Sequence, residues 1–203
     1  MLIIFGAIFD FLDGLTARFL KVQSEIGKQL DGFSDMTTFG IAPGILLFQM
    51  IYISQTGTFY NESIINKEFF ISLFAFLIPI FSAIRLAKYN TDTRQGVSFI
   101  GLPTPAAAIF ISSLPIISYQ TESGYFNNTI GLLMISIILS TLLISHITTF
   151  SFKKDISQDI KLYYIKLFFL IISVILIILF KLISIPFIII LYILLSIIHN
   201  MIK

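Results

Sequence analysis

The chain has 203 residues, 57% of them hydrophobic and only 12% charged, with a net charge of +2 and no cysteine. Soluble domains carry about 25% charged residues, and the mean hydropathy here is +0.97, so composition excludes an ordinary soluble domain. The small net charge argues against a nucleic-acid partner, and the lack of cysteine removes disulfides and thiolate metal sites.

Apolar runs of bilayer-crossing length recur, continuous rather than alternating, which favours helices over a β-barrel. In chain order the sequence predicts spans at 1–20, 29–53, 69–88, 103–119, 129–147, 162–180 and 184–199, the last two joined by a tight turn at Lys181. The expected fold is an all-α polytopic membrane protein. Antiparallel neighbours bring alternate breaks to one side. That side collects eleven lysines and arginines, among them Arg18, Arg85, Lys88 and the group Lys153, Lys154, Lys161 and Lys166, against Lys67 and Lys181 opposite. The positive-inside bias places the first side in the cytoplasm, and the lysine group also suits anionic lipid. Asn61 and Asn127 head glycosylation sequons in the opposite loops, where chance matches are the simpler reading.

The first two spans carry the chemistry. Asp10 and Asp13 share one helix face at i, i+3, continued by Gly14, Ala17 and Arg18; Asp31 and Asp35 lie at i, i+4 on the next helix. Two antiparallel helices with a short link bring these faces together at the cytoplasmic end. Four carboxylates so close would force protons onto one another unless cations neutralise them. Hard divalent ions, Mg²⁺ or Mn²⁺, take oxygen ligands, and no histidine or cysteine nearby points to zinc. Two ions about 3.5–4 Å apart on shared carboxylates serve displacement at phosphorus. Gly14 and Ala17 permit a close backbone approach, and Arg18 suits phosphate. The plainer readings are helix caps, with Asp31 capping the second helix, or an ion path across the membrane.

Further on, Gly40 and Gly44 form a small-xxx-small pair suited to close packing within the chain. Pro43 predicts a kink in the same helix. His146 and His199 fall at helix ends and read as interfacial side chains rather than ligands.

The pattern Asp10-x2-Asp13-Gly14-x2-Ala17-Arg18-x8-Gly27-x3-Asp31-x3-Asp35 resembles, without departure, the signature of the CDP-alcohol phosphatidyltransferase family. The resemblance implies transfer from a CDP-activated lipid to an alcohol with release of CMP. It implies that Asp10 and Asp31 bridge two divalent ions, that Asp13 completes one and Asp35 the other, and that Asp35 is the general base. Gly14, Ala17, Arg18 and Gly27 would line the CDP site, with Ser24 a nucleotide contact the signature does not fix. Homodimers are common in this family.

The run SAIRLAKYN (82–90) followed by GLPTPAAA (101–108) resembles the phosphatidylserine synthase branch. The resemblance implies CDP-diacylglycerol and L-serine as substrates. Arg85 is the cation a serine carboxylate needs, with Lys88, Asn90 and Thr104 as further acceptor candidates. Snorkelling at the interface is the plainer reading, above all for Lys88, and packing is the default for Pro103 and Pro105. A larger acceptor, glycerol 3-phosphate or an inositol compound, keeps the chemistry but calls for more basic residues than Arg85 and Lys88. A divalent-cation transporter is the reading from another class, disfavoured by the lack of internal repeats.

Relatives in this family carry an amphipathic segment and a transmembrane helix ahead of the motif. Here nine residues precede Asp10, and at 1.5 Å per residue the span 1–20 covers about 30 Å, putting Asp10 near mid-bilayer. The expectation is therefore an N-terminally shortened six-helix core, residues 1–150, plus a C-terminal transmembrane hairpin, residues 151–203, in a bacterial inner membrane. The cysteine-free sequence makes the topology directly testable. Cysteines replacing Lys154 and Lys67 should react with an impermeant maleimide from the cytoplasmic and the opposite side respectively; the reverse pattern would overturn the orientation.

Overall fold

The computed structural model describes residues 2–20, 24–60, 65–91, 98–121, 128–150 and 160–202. Among these, seven helical rods follow one another as the hydropathy predicts. The first is α1 (Leu2–Leu20). The second joins α2 (Glu25–Asp35), a π-helical turn (Met36–Ile41) and α3 (Ala42–Thr56). The third joins α4 (Lys67–Ser72), a 3₁₀ turn (Leu73–Phe76) and α5 (Leu77–Thr91). Then come α6 (Thr104–Thr121), α7 (Thr129–Ile144), α8 (Ile160–Phe180) and α9 (Ser184–Ile202), the last two linked by a 3₁₀ turn at Lys181–Ile183. The stretches Glu25–Thr56, Lys67–Tyr89 and Leu162–Asn200 are long and apolar enough to cross a membrane, with shorter apolar helices at Thr104–Tyr119 and Thr129–Ile144. The protein is a polytopic helical membrane protein. The boundary expected at residue 150 falls beside residues 151–159, outside the described ones, as do Asn61 and Asn127.

Local chemistry explains where the rods differ from a hydropathy profile. The second rod begins at Glu25 rather than 29 because Ser24 caps it, its hydroxyl accepting from the Gly27 amide at 3.0 Å. Asp31 is therefore not the cap. Pro43 cannot donate to the carbonyl four residues back and its ring crowds that turn. The helix answers with the π turn just before it, closed by the Ala42 amide on the Thr37 carbonyl, so the expected kink takes the form of a widened turn. Pro79 is likewise preceded by the 3₁₀ turn, and the Ser136 hydroxyl of α7 donates to the Phe74 carbonyl there at 2.7 Å. Such a bond satisfies a loosened backbone group in a medium without water.

The core lies between α3, α5, α6 and α7, where Leu47, Ile51, Ile78, Ile111, Leu114, Leu132 and Leu143 are fully buried. The glycine pair packs inside the chain: a Cβ on Gly44 would meet Pro79 Cδ at 2.8 Å, and one on Gly40 the Ser82 Cβ at 3.3 Å. Hairpin α8–α9 sets α9 against α6, while Leu170, Val174, Ile177 and Ile178 of α8 stay exposed, a face suited to lipid tails.

One element lies outside the all-helical expectation. Strands β1 (Ser98–Ile100) and β2 (Thr148–Phe150) pair antiparallel, with Phe99 opposite Thr149. The ribbon is pinned beside it: the Gly101 amide donates to the Ile147 carbonyl and the Leu102 amide to the Leu142 carbonyl, both at 2.9 Å. Gly101 has φ +80°, and a Cβ there would collide with the Leu143 carbonyl. Gly57, which ends α3 at φ +72°, faces open space. Gly57→Ala should cost about 1 kcal/mol for the left-handed backbone alone. Gly101→Ala adds a backbone collision and should lower the unfolding midpoint in detergent clearly further; equal midpoints would contradict this packing.

Candidate active site

Helix α1 packs on the π turn and on α6, with its aspartates toward those of α2. A Cβ on Gly6 would sit 2.5 Å from Thr38 Cγ2, so glycine here lets α1 lie close on the π turn without moving the Thr38 side chain. With Gly6 opposite Thr38, the i+4 and i+7 positions of α1, Asp10 and Asp13, fall toward Asp35 and Asp31. The carboxylates meet accordingly. Oxygens of Asp10, Asp13 and Asp31 all lie within 4.8 Å of one another. Asp35 joins them with one side of its carboxyl against Asp10, and it lies within electrostatic reach of Asp31. Asp13 and Asp31 are exposed, whereas Asp10 and Asp35 are half-buried. Asp35 Oδ1 is shut off from solvent and has no hydrogen-bond partner among the described residues.

The donor set is all carboxylate oxygen, which fits a hard divalent cation. The orphaned Asp35 oxygen is the second sign of fit, since a buried carboxylate oxygen without a donor is costly. The candidates from the signature are then placed as follows. Gly14 continues the aspartate face of α1, and Gly27 lies in the first turn of α2 beside the capping Ser24. Ala17 and Arg18 belong to α1, with side chains outside the described set.

A second polar centre sits alongside. Arg85 on α5 is only 8% exposed, and its Nη1 donates to Thr104 Oγ1, at the start of α6, at 3.4 Å. The Nε group is buried with no partner among the described residues. The guanidinium lies within electrostatic reach of Asp35, Tyr89 and Tyr192, so the structure brings Arg85, Thr104 and the aspartates to one place. It does not bury Lys88, which is exposed on the same helix, and the Asn90 side chain is outside the described set. His146 is exposed and His199 lies in the last turn of α9. Beside the aspartates, an apolar cavity of about 290 Å³ opens between α2 and α5, lined by Gly32, Phe33, Met36, Ala83, Leu86 and Ala87 with Gln29.

Sequence reasoning missed Tyr89 and Tyr192. Tyr89 lay in plain view, one turn beyond Arg85. Tyr192 had a weaker signal: a tyrosine at the middle of an apolar span, away from the interfaces where this residue gathers.

A cluster able to hold divalent cations, a buried guanidinium and an apolar groove together suit an anionic, lipid-linked ligand. Comparison with known proteins agrees. Residues 1–122 match the family described as CDP-alcohol phosphatidyltransferase, a stretch that includes all four aspartates, Arg85 and Thr104. The chain is 32% identical over 171 residues to a CDP-diacylglycerol–serine O-phosphatidyltransferase of Helicobacter pylori, covering 83% of this chain and 67% of that protein. It is 31% identical over 156 residues to a protein of the same name from Bacillus subtilis, covering 77% and 76%. An archaetidylserine synthase of Methanothermobacter thermautotrophicus is 32% identical over 143 residues, covering 68% and 55%. With well over half its length matched by that family and relatives above 30% identity, the chain belongs to the CDP-alcohol phosphatidyltransferase family.

Proposed function

We propose that this membrane transferase moves the phosphatidyl group of CDP-diacylglycerol to L-serine, giving phosphatidylserine and CMP, at the cytoplasmic face of a bacterial inner membrane. The observation that carries the reading is the meeting of Asp10, Asp13 and Asp31 beside Asp35, with the buried Arg85 in electrostatic reach. The printed names of the relatives support serine as the acceptor.

In this reading Asp10, Asp13, Asp31 and Asp35 would together hold two divalent ions, Mg²⁺ or Mn²⁺. Held there, such ions would supply positive charge against the diphosphate and the departing CMP. Gly14, Ala17, Arg18, Ser24 and Gly27 line the CDP side, and the apolar groove between α2 and α5 receives a lipid chain. Arg85, with Thr104 at its side, takes the serine carboxylate, an anion that a guanidinium binds in two parallel hydrogen bonds. Asp35 receives the serine hydroxyl proton on the oxygen turned away from Asp10. The new oxygen–phosphorus bond then forms as the bond to CMP breaks.

Serine-dependent CMP release by the purified chain tests the whole reading. It should require Mg²⁺ or Mn²⁺ and stop on chelation. Asp35→Asn should lower kcat by about a hundredfold or more, the usual worth of a positioned base. Release with another alcohol but not with serine would refute the acceptor assignment. Arg85→Lys keeps the charge and loses the fork. It should raise KM for serine about tenfold while leaving KM for CDP-diacylglycerol nearly unchanged, given the worth of one charge-assisted hydrogen bond. An unchanged serine KM would remove Arg85 from the acceptor site.

A further inference from the structure

Serine carries three polar groups, and the residues named so far receive two of them: the carboxylate at Arg85 and the hydroxyl at Asp35. The ammonium group still needs an oxygen acceptor. Helix α5 offers one a single turn from Arg85.

Ser82 is fully buried, and its hydroxyl has no hydrogen-bond partner among the described residues. Other serines of these helices behave differently. The hydroxyls of Ser54, Ser112, Ser113 and Ser196 each donate to a carbonyl three or four residues back, the ordinary way to satisfy such a group inside a helix. A buried hydroxyl without that bond costs free energy until something completes it. Packing does not explain its presence. A Cβ on Gly40 would meet the Ser82 Cβ at 3.3 Å, so the contact calls for a small side chain, which alanine provides equally well.

Two contacts place Ser82 relative to the site. It faces Gly40, while Met36 lines the same cavity as Ala83 and Leu86. Later residues of α5 therefore lie opposite earlier residues of the π turn, as antiparallel rods require. In that register Arg85 comes level with Met36 and Asp35, and Ser82 lies one turn back, about 4.5 Å along the axis. Residues at i and i+3 are neighbours on one helix surface. Asp35 Oδ1 and Arg85 Nε are likewise buried without a partner among the described residues. An acceptor oxygen at Asp35, a donor at Arg85 and a hydroxyl oxygen at Ser82 match the hydroxyl, carboxylate and ammonium of one amino acid.

We infer that Ser82 is a specificity-determining residue: its Oγ accepts an N–H from the acceptor's ammonium group while Arg85 holds the carboxylate. The pocket thereby selects an α-amino acid over a hydroxy acid of the same shape, because an analogue without the N–H leaves the buried oxygen unpaired. The inference rests on the reading of Arg85 and Asp35 as acceptor-binding residues.

The test is steady-state CMP release by the purified chain in lipid nanodiscs containing CDP-diacylglycerol. L-serine is varied, and 3-hydroxypropionate, which is serine without its ammonium group, is added as a competitor. Ser82→Ala should raise KM for L-serine about tenfold, the worth of one charge-assisted hydrogen bond. Its kcat should stay within threefold of wild type, with KM for CDP-diacylglycerol unmoved and inhibition by 3-hydroxypropionate within twofold. Arg85→Lys should weaken serine and 3-hydroxypropionate alike, since both carry the carboxylate. Ser173→Ala removes another buried hydroxyl without a partner among the described residues, on α8, and should change neither. Because the Ser82 hydroxyl bonds to nothing in the ligand-free protein, Ser82→Ala should unfold at a midpoint no lower than wild type. A serine KM within twofold of wild type in Ser82→Ala, with Arg85→Lys still raising it, would overturn the inference and leave the acceptor site standing. Equal weakening of serine and 3-hydroxypropionate in Ser82→Ala, or a lowered midpoint, would make Ser82 a packing residue and overturn it too. An unmoved serine KM in Arg85→Lys would instead refute the acceptor reading, and this inference with it.

Discussion

Carboxylates that converge at a membrane repel one another, and the architecture of this protein is arranged around holding them together. At the 4.8 Å spread of Asp10, Asp13 and Asp31, each like-charged pair costs about 1 kcal/mol under full water screening and about 3–4 kcal/mol at an effective dielectric of about 20. Folding receives nothing from such a cluster, so its geometry has to be imposed from outside. The contact of Gly6 with Thr38 sets the register of α1 on the second rod. Ser24 fixes where α2 starts, and the π turn that follows Asp35 packs on α5. Turns of this kind are rare and gather at functional sites. Here the cause is visible in Pro43 and the benefit in Asp35.

The same logic of imposed geometry extends to Arg85. A buried guanidinium is tolerated when charge and hydrogen bonds surround it, and the partners come from distant parts of the chain. Asp35 lies fifty residues before it, Thr104 nineteen after, and Tyr192 more than a hundred after. The pinned ribbon β1–β2, with Gly101 pressed against the end of α7, is what brings the start of α6 and the hairpin to one side chain.

Much of this was legible in the sequence, for identifiable reasons. Long apolar runs separated by polar breaks give the rods directly, because a helix crossing lipid has few alternatives. The aspartate pairs were legible because their spacing is a helical period and their link is short. Arg85 stood out as a charge in an apolar span. The ribbon did not, since three-residue strands carry no periodic signal. Tyr192 escaped because its meaning depends on contacts more than forty residues away in sequence. The π turn was half legible: Pro43 announced a disturbance, but not that the helix would absorb it by widening one turn.

The length of the second rod has a bearing on where the reaction happens. Glu25–Thr56 is a continuous 32-residue helix, about 48 Å long and so well beyond a hydrocarbon core of about 30 Å. Counted back from Thr56, Asp35 lies about 31 Å away, about one hydrocarbon thickness. Asp10 meets Asp35 on this rod, so the two carboxylates share one level. The rod works as a ruler: it fixes the distance along its axis from Thr56 to the carboxylates at about one hydrocarbon thickness. In a membrane several ångströms thicker or thinner, hydrophobic mismatch would tilt the rod or displace its end, and cluster and headgroup would fall out of register without any residue having changed.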